Sequence, residues 1–270
     1  MKLSAQLISL FSVCLLLVGC ATSIPKGYDR NVSTAYGNPG ETELGRFFQA
    51  EMEGHPGKSG VVLLTTGEWG FRARAGLANQ AEKTIDVQYY IWEVDTAGSI
   101  LAERILRAAD RGVRVRMLLD HVTTKETDFK FARMDFHPNI EIRVFNPFVN
   151  RRFRTLEFLF RLERMNHRMH NKAFIVDNAL AIVGGRNIGD NYFGVDVAAN
   201  FRDLDLVMAG PVVQDVSRSF DRYWNSEYAV PVRALIDERL SPQEYRERKT
   251  RLYRWVKDIE DFPYPVDTSS

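Results

Sequence analysis

Apolar residues run through this chain in two alternating rhythms, short continuous runs and longer stretches at helical spacing. Residues 61–65 predict a strand, 67–80 a helix and 85–92 a β-rich run. Across 98–111, Ile100, Leu101, Ile105 and Ala108 fall on one helical face, and Gly112 supplies the stop. Residues 113–119 alternate apolar and basic positions before Asp120. Helices are expected at 129–136 and 151–165, and a strand at 140–145. The runs 169–176 and 179–183 flank Asp177-Asn178, a turn dipeptide, and so predict a hairpin. A strand at 204–208, a helix from Pro211 to about residue 225 and a charged helix at 242–258 complete the order. This succession predicts an α/β domain with a mixed, mostly parallel central sheet flanked by helices.

Ahead of the domain the pattern differs. Lys2 precedes an apolar run over 7–18, short for a bilayer span, which ends in Leu17-Val18-Gly19-Cys20. That ending resembles the lipobox of bacterial lipoproteins, which implies cleavage before Cys20 and acylation of its thiol. The expected organisation is a signal peptide over 1–19, a lipid-anchored tether over 20–58 rich in Gly and Pro, a catalytic domain over 59–228 and a helical tail over 229–270. A short helix is expected within the tether at 42–51. Ala21 stands where an aspartate favours inner-membrane retention, so the expected location is periplasm-facing, with the outer membrane favoured.

Composition narrows the function classes. The chain has 270 residues, 45% of them hydrophobic, which suits a globular core rather than disorder. Its only cysteines are Cys14 and Cys20, so the mature body has no thiol nucleophile and no thiolate metal site. A formal net charge of +1 gives no global basic field and argues against nucleic acid as partner. Basic residues do cluster over 151–172, where attraction to anionic lipid headgroups competes with a plain solvated helix face.

The chemistry concentrates in His170-Asn171-Lys172, Asp177 and Gly184-Gly185-Arg186-Asn187. At average residue usage the pattern H-x-K-x4-D-x6-G-G-x-N arises by chance about once in 10⁸ positions. On a strand from Met169, His170 and Lys172 share one face. Gly184 and Gly185 let backbone amides approach a ligand closely, and Asn187 can donate its side-chain amide. Imidazole, ammonium and amides together suit a phosphoryl group: the imidazole attacks phosphorus and the donors hold the equatorial charge. Lysine supplies that charge, so neither metal nor other cofactor is expected.

The segment resembles the signature of the phospholipase D superfamily. Residues 86–92, 108–116, 138–147, 184–193 and 221–226 are similar to the bacterial cardiolipin synthase branch, in particular its C-type proteins. The resemblance spans roughly residues 60–235. It implies that His170 is the nucleophile or the general acid, that Lys172 and Asn187 bind phosphate, and that Asp177 completes the catalytic set as a support. It also implies a downstream carboxylate that orients the histidine, with Asp203 as candidate and Asp205 as rival. The implied activity is phosphatidyl transfer or hydrolysis on phospholipids through a phosphohistidine. Family members carry two signatures, and of the five histidines here only His170 is followed by x-Lys. The chain therefore supplies half a site, and either pairs as a homodimer or is a truncated, inactive half. A phosphodiesterase or nuclease of the same superfamily is the other alternative. Tyr192 is expected to shape the substrate pocket, and Tyr89, Tyr90, Trp92 and Phe193 to be core aromatics.

Overall fold

The computed structural model describes residues 27–120, 125–147, 167–196, 198–236 and 240–265. The signal peptide, Cys20 and the helix expected over 151–165 lie outside the described residues.

The described chain builds one eight-stranded sheet with helices on both faces. In chain order the elements are α1 (Glu43–Met52), β1 (Gly60–Leu64), α2 (Gly67–Gln80), β2 (Thr84–Tyr89), α3 (Thr96–Asp110), β3 (Arg114–Asp120), α4 (Lys125–Met134) and β4 (Ile140–Phe145). They continue as β5 (Ala173–Val176), β6 (Leu180–Gly184), α5 (Asp190–Phe193), β7 (Asp205–Ala209), α6 (Val212–Trp224), β8 (Ala229–Pro231), α7 (Val232–Leu235) and α8 (Pro242–Lys257). The strand order is β1-β7-β6-β5-β2-β3-β4-β8.

The sheet is mixed, as the pattern predicts, but it is not mostly parallel. Only β2–β3 and β3–β4 pair in parallel, and the other neighbours run antiparallel. The β-α-β rhythm holds for the first half, where α3 and α4 carry the chain back across the sheet. Beyond it pairing turns antiparallel, with a tight turn only between β5 and β6, and β1 joins the far edge beside β7.

Period-two alternation divides the core. Phe174 and Val176 of β5 face a large cluster with Phe71 of α2 and Ile100, Leu101 and Ile105 of α3. Ala173 and Ile175 face a smaller cluster with Val213, Phe220 and Trp224 of α6. Burying both faces leaves polar groups on the sheet only where they pair. Arg116 on β3 forks onto Asp86 of β2 through two 2.7 Å bonds and also meets Asp221 of α6 at 2.8 Å.

Both expected domain boundaries are too narrow. Residues 31–36, read as tether, are strapped across the α6 side of the sheet. Arg143 donates to the Asn31 carbonyl at 2.6 Å, Arg116 to the Ser33 carbonyl at 2.9 Å, and the Ala35 amide donates to Asp221 at 2.9 Å. Buried arginines need acceptors, and this strap supplies them. At the other end, β8 pairs with β4, and α8 packs Val256 into the main core. A capping box of Ser241 and Glu244 starts α8, and Lys249 and Tyr253 both bond Asp110 at 2.6 Å.

Candidate active site

The register fixes where the chemistry gathers. Tyr89 ends β2, Asp120 ends β3, Ala173 begins β5, Gly184 ends β6 and Asp205 begins β7. These positions lie along one rim of the sheet, at the carboxyl ends of its parallel strands, where α/β folds place ligands.

His170 and Lys172 stand on this rim but not on a strand. Residues 167–172 have no regular structure, and β5 starts only at Ala173. The two side chains nevertheless converge. Lys172 Nζ lies 3.0 Å from His170 Nδ1 and 3.3 Å from Nε2, and it donates to the His170 carbonyl at 2.7 Å. His170 is exposed, while Lys172 is only 6% exposed. The ring of Tyr90 packs on the imidazole at 4.8 Å between centroids. Burial pushes the Lys172 ammonium below its ordinary pKa, and the carboxylate of Asp203 acts in the opposite sense.

Asp120 holds the strandless segment in place, although no feature of the signature marks it. Its carboxylate accepts from the Met169 amide at 2.8 Å and from Arg168 at 2.9 Å. Asn146, with a φ of 46°, donates to the His167 carbonyl at 2.9 Å. The available signal was positional: Asp120 closes a buried parallel strand, where a carboxylate has no packing role.

Asp177 is placed elsewhere. It sits in the β5–β6 turn, five residues beyond Lys172, hence roughly 16 Å down the strand at the opposite rim. Asp177 and Asn178 have φ of 54° and 51°, as a type I′ turn requires. The Asp177 carboxylate accepts the amides of Glu82, Lys83 and Thr84 at 3.0, 2.8 and 2.8 Å. It therefore locks the hairpin to the start of β2 and touches no reacting group, a correction to its place in the catalytic set.

The glycine pair works differently from the expectation. The Gly185 amide is already bonded to the Leu204 carbonyl at 3.0 Å, because β6 pairs with β7 to its end. What the glycines provide is room. A Cβ on Gly184 would stand 2.1 Å from Asp205 Oδ1 and 2.4 Å from the Leu204 carbonyl oxygen. One on Gly185 would stand 2.3 Å from Asp203 Oδ1. Asn187 is likewise engaged: Oδ1 accepts the Ile91 amide at 3.1 Å, and Nδ2 donates to the Tyr192 hydroxyl at 3.1 Å. It ties the loop carrying Tyr90 to the helix carrying Tyr192.

The structure separates the two downstream aspartates. Asp205 is fully buried, 2.9 Å from Arg74 and 3.4 Å from Arg186, and it accepts the Arg186 amide at 3.2 Å. It is committed to the core. Asp203 is half-buried, lies against Gly185 and acts electrostatically on Lys172. Among the described residues no donor lies within hydrogen-bond distance of Asp203, and it does not contact His170.

Comparisons with known proteins give the family. Residues 76–224 match the family described as cardiolipin synthase, PLD-like domain. Cardiolipin synthase C of Escherichia coli (strain K12) is 42% identical over 217 residues, 78% of this chain and 46% of that protein. Cardiolipin synthase A of Pseudomonas entomophila is 31% identical over 175 residues, covering 64% of this chain and 35% of that protein. A solved phosphatidylserine synthase of Haemophilus influenzae superposes with a TM-score of 0.51 at 13% identity, over 79% of this chain and 48% of that one. The chain thus spans less than half the length of the curated relatives it matches.

Proposed function

Because the chain belongs to the cardiolipin synthase, PLD-like domain family, we propose that it carries half of a phosphatidyl-transfer site with His170 as the reacting group. The observation that carries this reading is the buried ammonium of Lys172 lying 3.0 Å from the ring of an exposed His170. A ring nitrogen facing an ammonium presents a lone pair, and a phosphoryl group arriving at the ring meets the same positive charge.

In the proposed reaction an imidazole nitrogen attacks phosphorus of a phospholipid diester. The P–N bond forms, the P–O bond to the headgroup alcohol breaks, and Lys172 offsets charge on the equatorial oxygens. The leaving alkoxide takes a proton from a second imidazole. A second alcohol then attacks phosphorus, gives its proton to that imidazole and releases the phosphatidyl product. With phosphatidylglycerol as acceptor the product is cardiolipin, and with water it is phosphatidic acid. Asp203 sustains the charge on Lys172, Tyr90 packs the ring, and Asp120 fixes the backbone that carries it.

The second imidazole comes from another copy of His170 in a homodimer. The open side of His170 supports this, as do the exposed apolar residues at the β1–β7 edge: Val61, Val62, Leu63, Phe201 and Leu204. Acylated Cys20 would hold the dimer on a periplasm-facing membrane surface, the outer membrane by preference.

The experiment incubates the full-length protein with phosphatidylglycerol vesicles and resolves the lipid products. Cardiolipin with glycerol, or phosphatidic acid with glycerol, supports the reading. Cleavage of oligonucleotides with the lipid left intact would replace it with a nuclease. Mixing in excess His170→Ala protein should depress activity below the wild-type fraction if two histidines serve one site.

A further inference from the structure

A second cavity shares no lining residue with the His170–Lys172 cluster. Helices α3, α4 and α8 flank an open cavity of about 430 Å³, within the range of small-molecule sites. Its floor is apolar: Trp92, Ala102, Leu106, Phe131, Met134 and Leu252. Its rim is cationic, with Lys130, Arg133, Arg248, Lys249 and Arg251, and among the described residues no carboxylate lines it. Trp255 stands at the mouth and is exposed.

Most of a basic rim is ordinarily neutralised by neighbouring carboxylates. Here Lys249 is engaged by Asp110 at 2.6 Å. The side chains of Lys130 and Arg251, by contrast, make no hydrogen bond or ion pair to another described residue, and that of Arg248 acts only at longer range on Glu244. Three cations with no close ion-pair partner among the described residues, above an open apolar cleft, match an amphiphile with an anionic head and a hydrocarbon tail. An exposed tryptophan at the boundary suits a ligand that is wet at one end and oily at the other.

We propose that this cavity holds one acyl chain of an anionic phospholipid, with the lipid phosphate on Lys130, Arg248 and Arg251. The site is separate from His170 and does not depend on the reaction proposed there. It is not mechanically remote, however. The loop after β2 places Tyr90 on the His170 ring, and two residues later Trp92 forms the cavity wall and bridges to Ile188.

The test uses the full chain with Trp69→Phe, which leaves Trp92 and Trp255 at the cavity and Trp224 buried in the opposite cluster. The probe is phosphatidylcholine vesicles containing phosphatidylglycerol with dibrominated acyl chains, read by quenching of tryptophan fluorescence. Strong quenching is expected, with little when the bromines are on phosphatidylcholine alone. Ser99→Leu and Ala102→Leu, which fill the cavity, should abolish it. Arg251→Glu, at an exposed position, should weaken it about fivefold or more. His170→Ala should leave it unchanged, so failure of the catalytic reading does not touch this result. Equal quenching by brominated phosphatidylcholine would overturn the proposal. Loss with Arg251→Glu but none with the filled cavity would reduce it to adsorption on a basic surface. Loss with His170→Ala would place the lipid in the catalytic site instead. A change of oligomeric state in the lipid-free Ser99→Leu protein would make the cavity a seat for another copy, which also overturns it.

Discussion

Lys172 folds back on His170, its ammonium 3.0 Å from one ring nitrogen and 2.7 Å from the carbonyl oxygen of the same residue. The signature thus brings an ammonium and an imidazole together within three residues. The elements around it serve to hold that arrangement at the sheet rim. Lys172→Ala should lower turnover about 10²- to 10³-fold, the usual effect of removing a donor to transition-state charge, with the thermal midpoint little changed. A loss below tenfold in a steady-state assay would make Lys172 structural.

The pH profile should report the same lysine. Burial lowers the Lys172 pKa and Asp203 raises it. In the proposed reaction the ammonium is required, so activity should fall as pH rises through that lowered pKa, earlier than an ordinary lysine allows. Asp203→Asn removes the raising charge, and the alkaline limb should move to still lower pH. An unmoved limb in pH–rate measurements would separate Asp203 from the site.

The two glycines should separate in mutagenesis. In Gly185→Ala the new methyl meets the Asp203 side chain, which can swing aside, so turnover should drop while the fold survives. In Gly184→Ala it meets the Leu204 carbonyl oxygen and buried Asp205, which cannot move without breaking the Arg74 pair. That variant should lose several kcal/mol, about 3–5 if the ion pair is broken. Chemical denaturation of both variants checks the order.

Asp177→Ala should be a stability variant. Three amides lose their acceptor, and that of Thr84, which is buried, costs about 1–3 kcal/mol when left unpaired. Unfolding should come at markedly lower urea, while the rate per folded molecule stays near wild type. A specific loss of rate with unchanged stability would return Asp177 to the chemistry.

How much of this was legible follows the range of the interactions. The β2-α3-β3 succession, the hairpin at Asp177-Asn178 and the stop at Gly112 are local, and the structure carries all of them. The pairing of His170 with Lys172 was also legible, because spacing within three residues is enough. The part played by Asp177 was not. Its partners lie at residues 82–84, about ninety-five positions away, and only the sheet order brings them together. Asp203 and Asp205 look equivalent in sequence, and Arg74 from α2 tells them apart. Tyr90 reads as one more core aromatic, yet the end of β2 turns it out of the core and onto His170. A mostly parallel sheet extends the β-α-β rhythm beyond Phe145, where antiparallel pairing takes over.

The central claim is a covalent bond from His170 to phosphorus. Full-length protein should be incubated briefly with phosphatidylglycerol labelled at phosphorus, quenched in alkali, digested and mapped by mass spectrometry. An acid-labile, alkali-stable adduct is expected on the peptide containing His170, absent from His170→Ala. Label on any other residue, or product formed by His170→Ala at the wild-type rate, would contradict it.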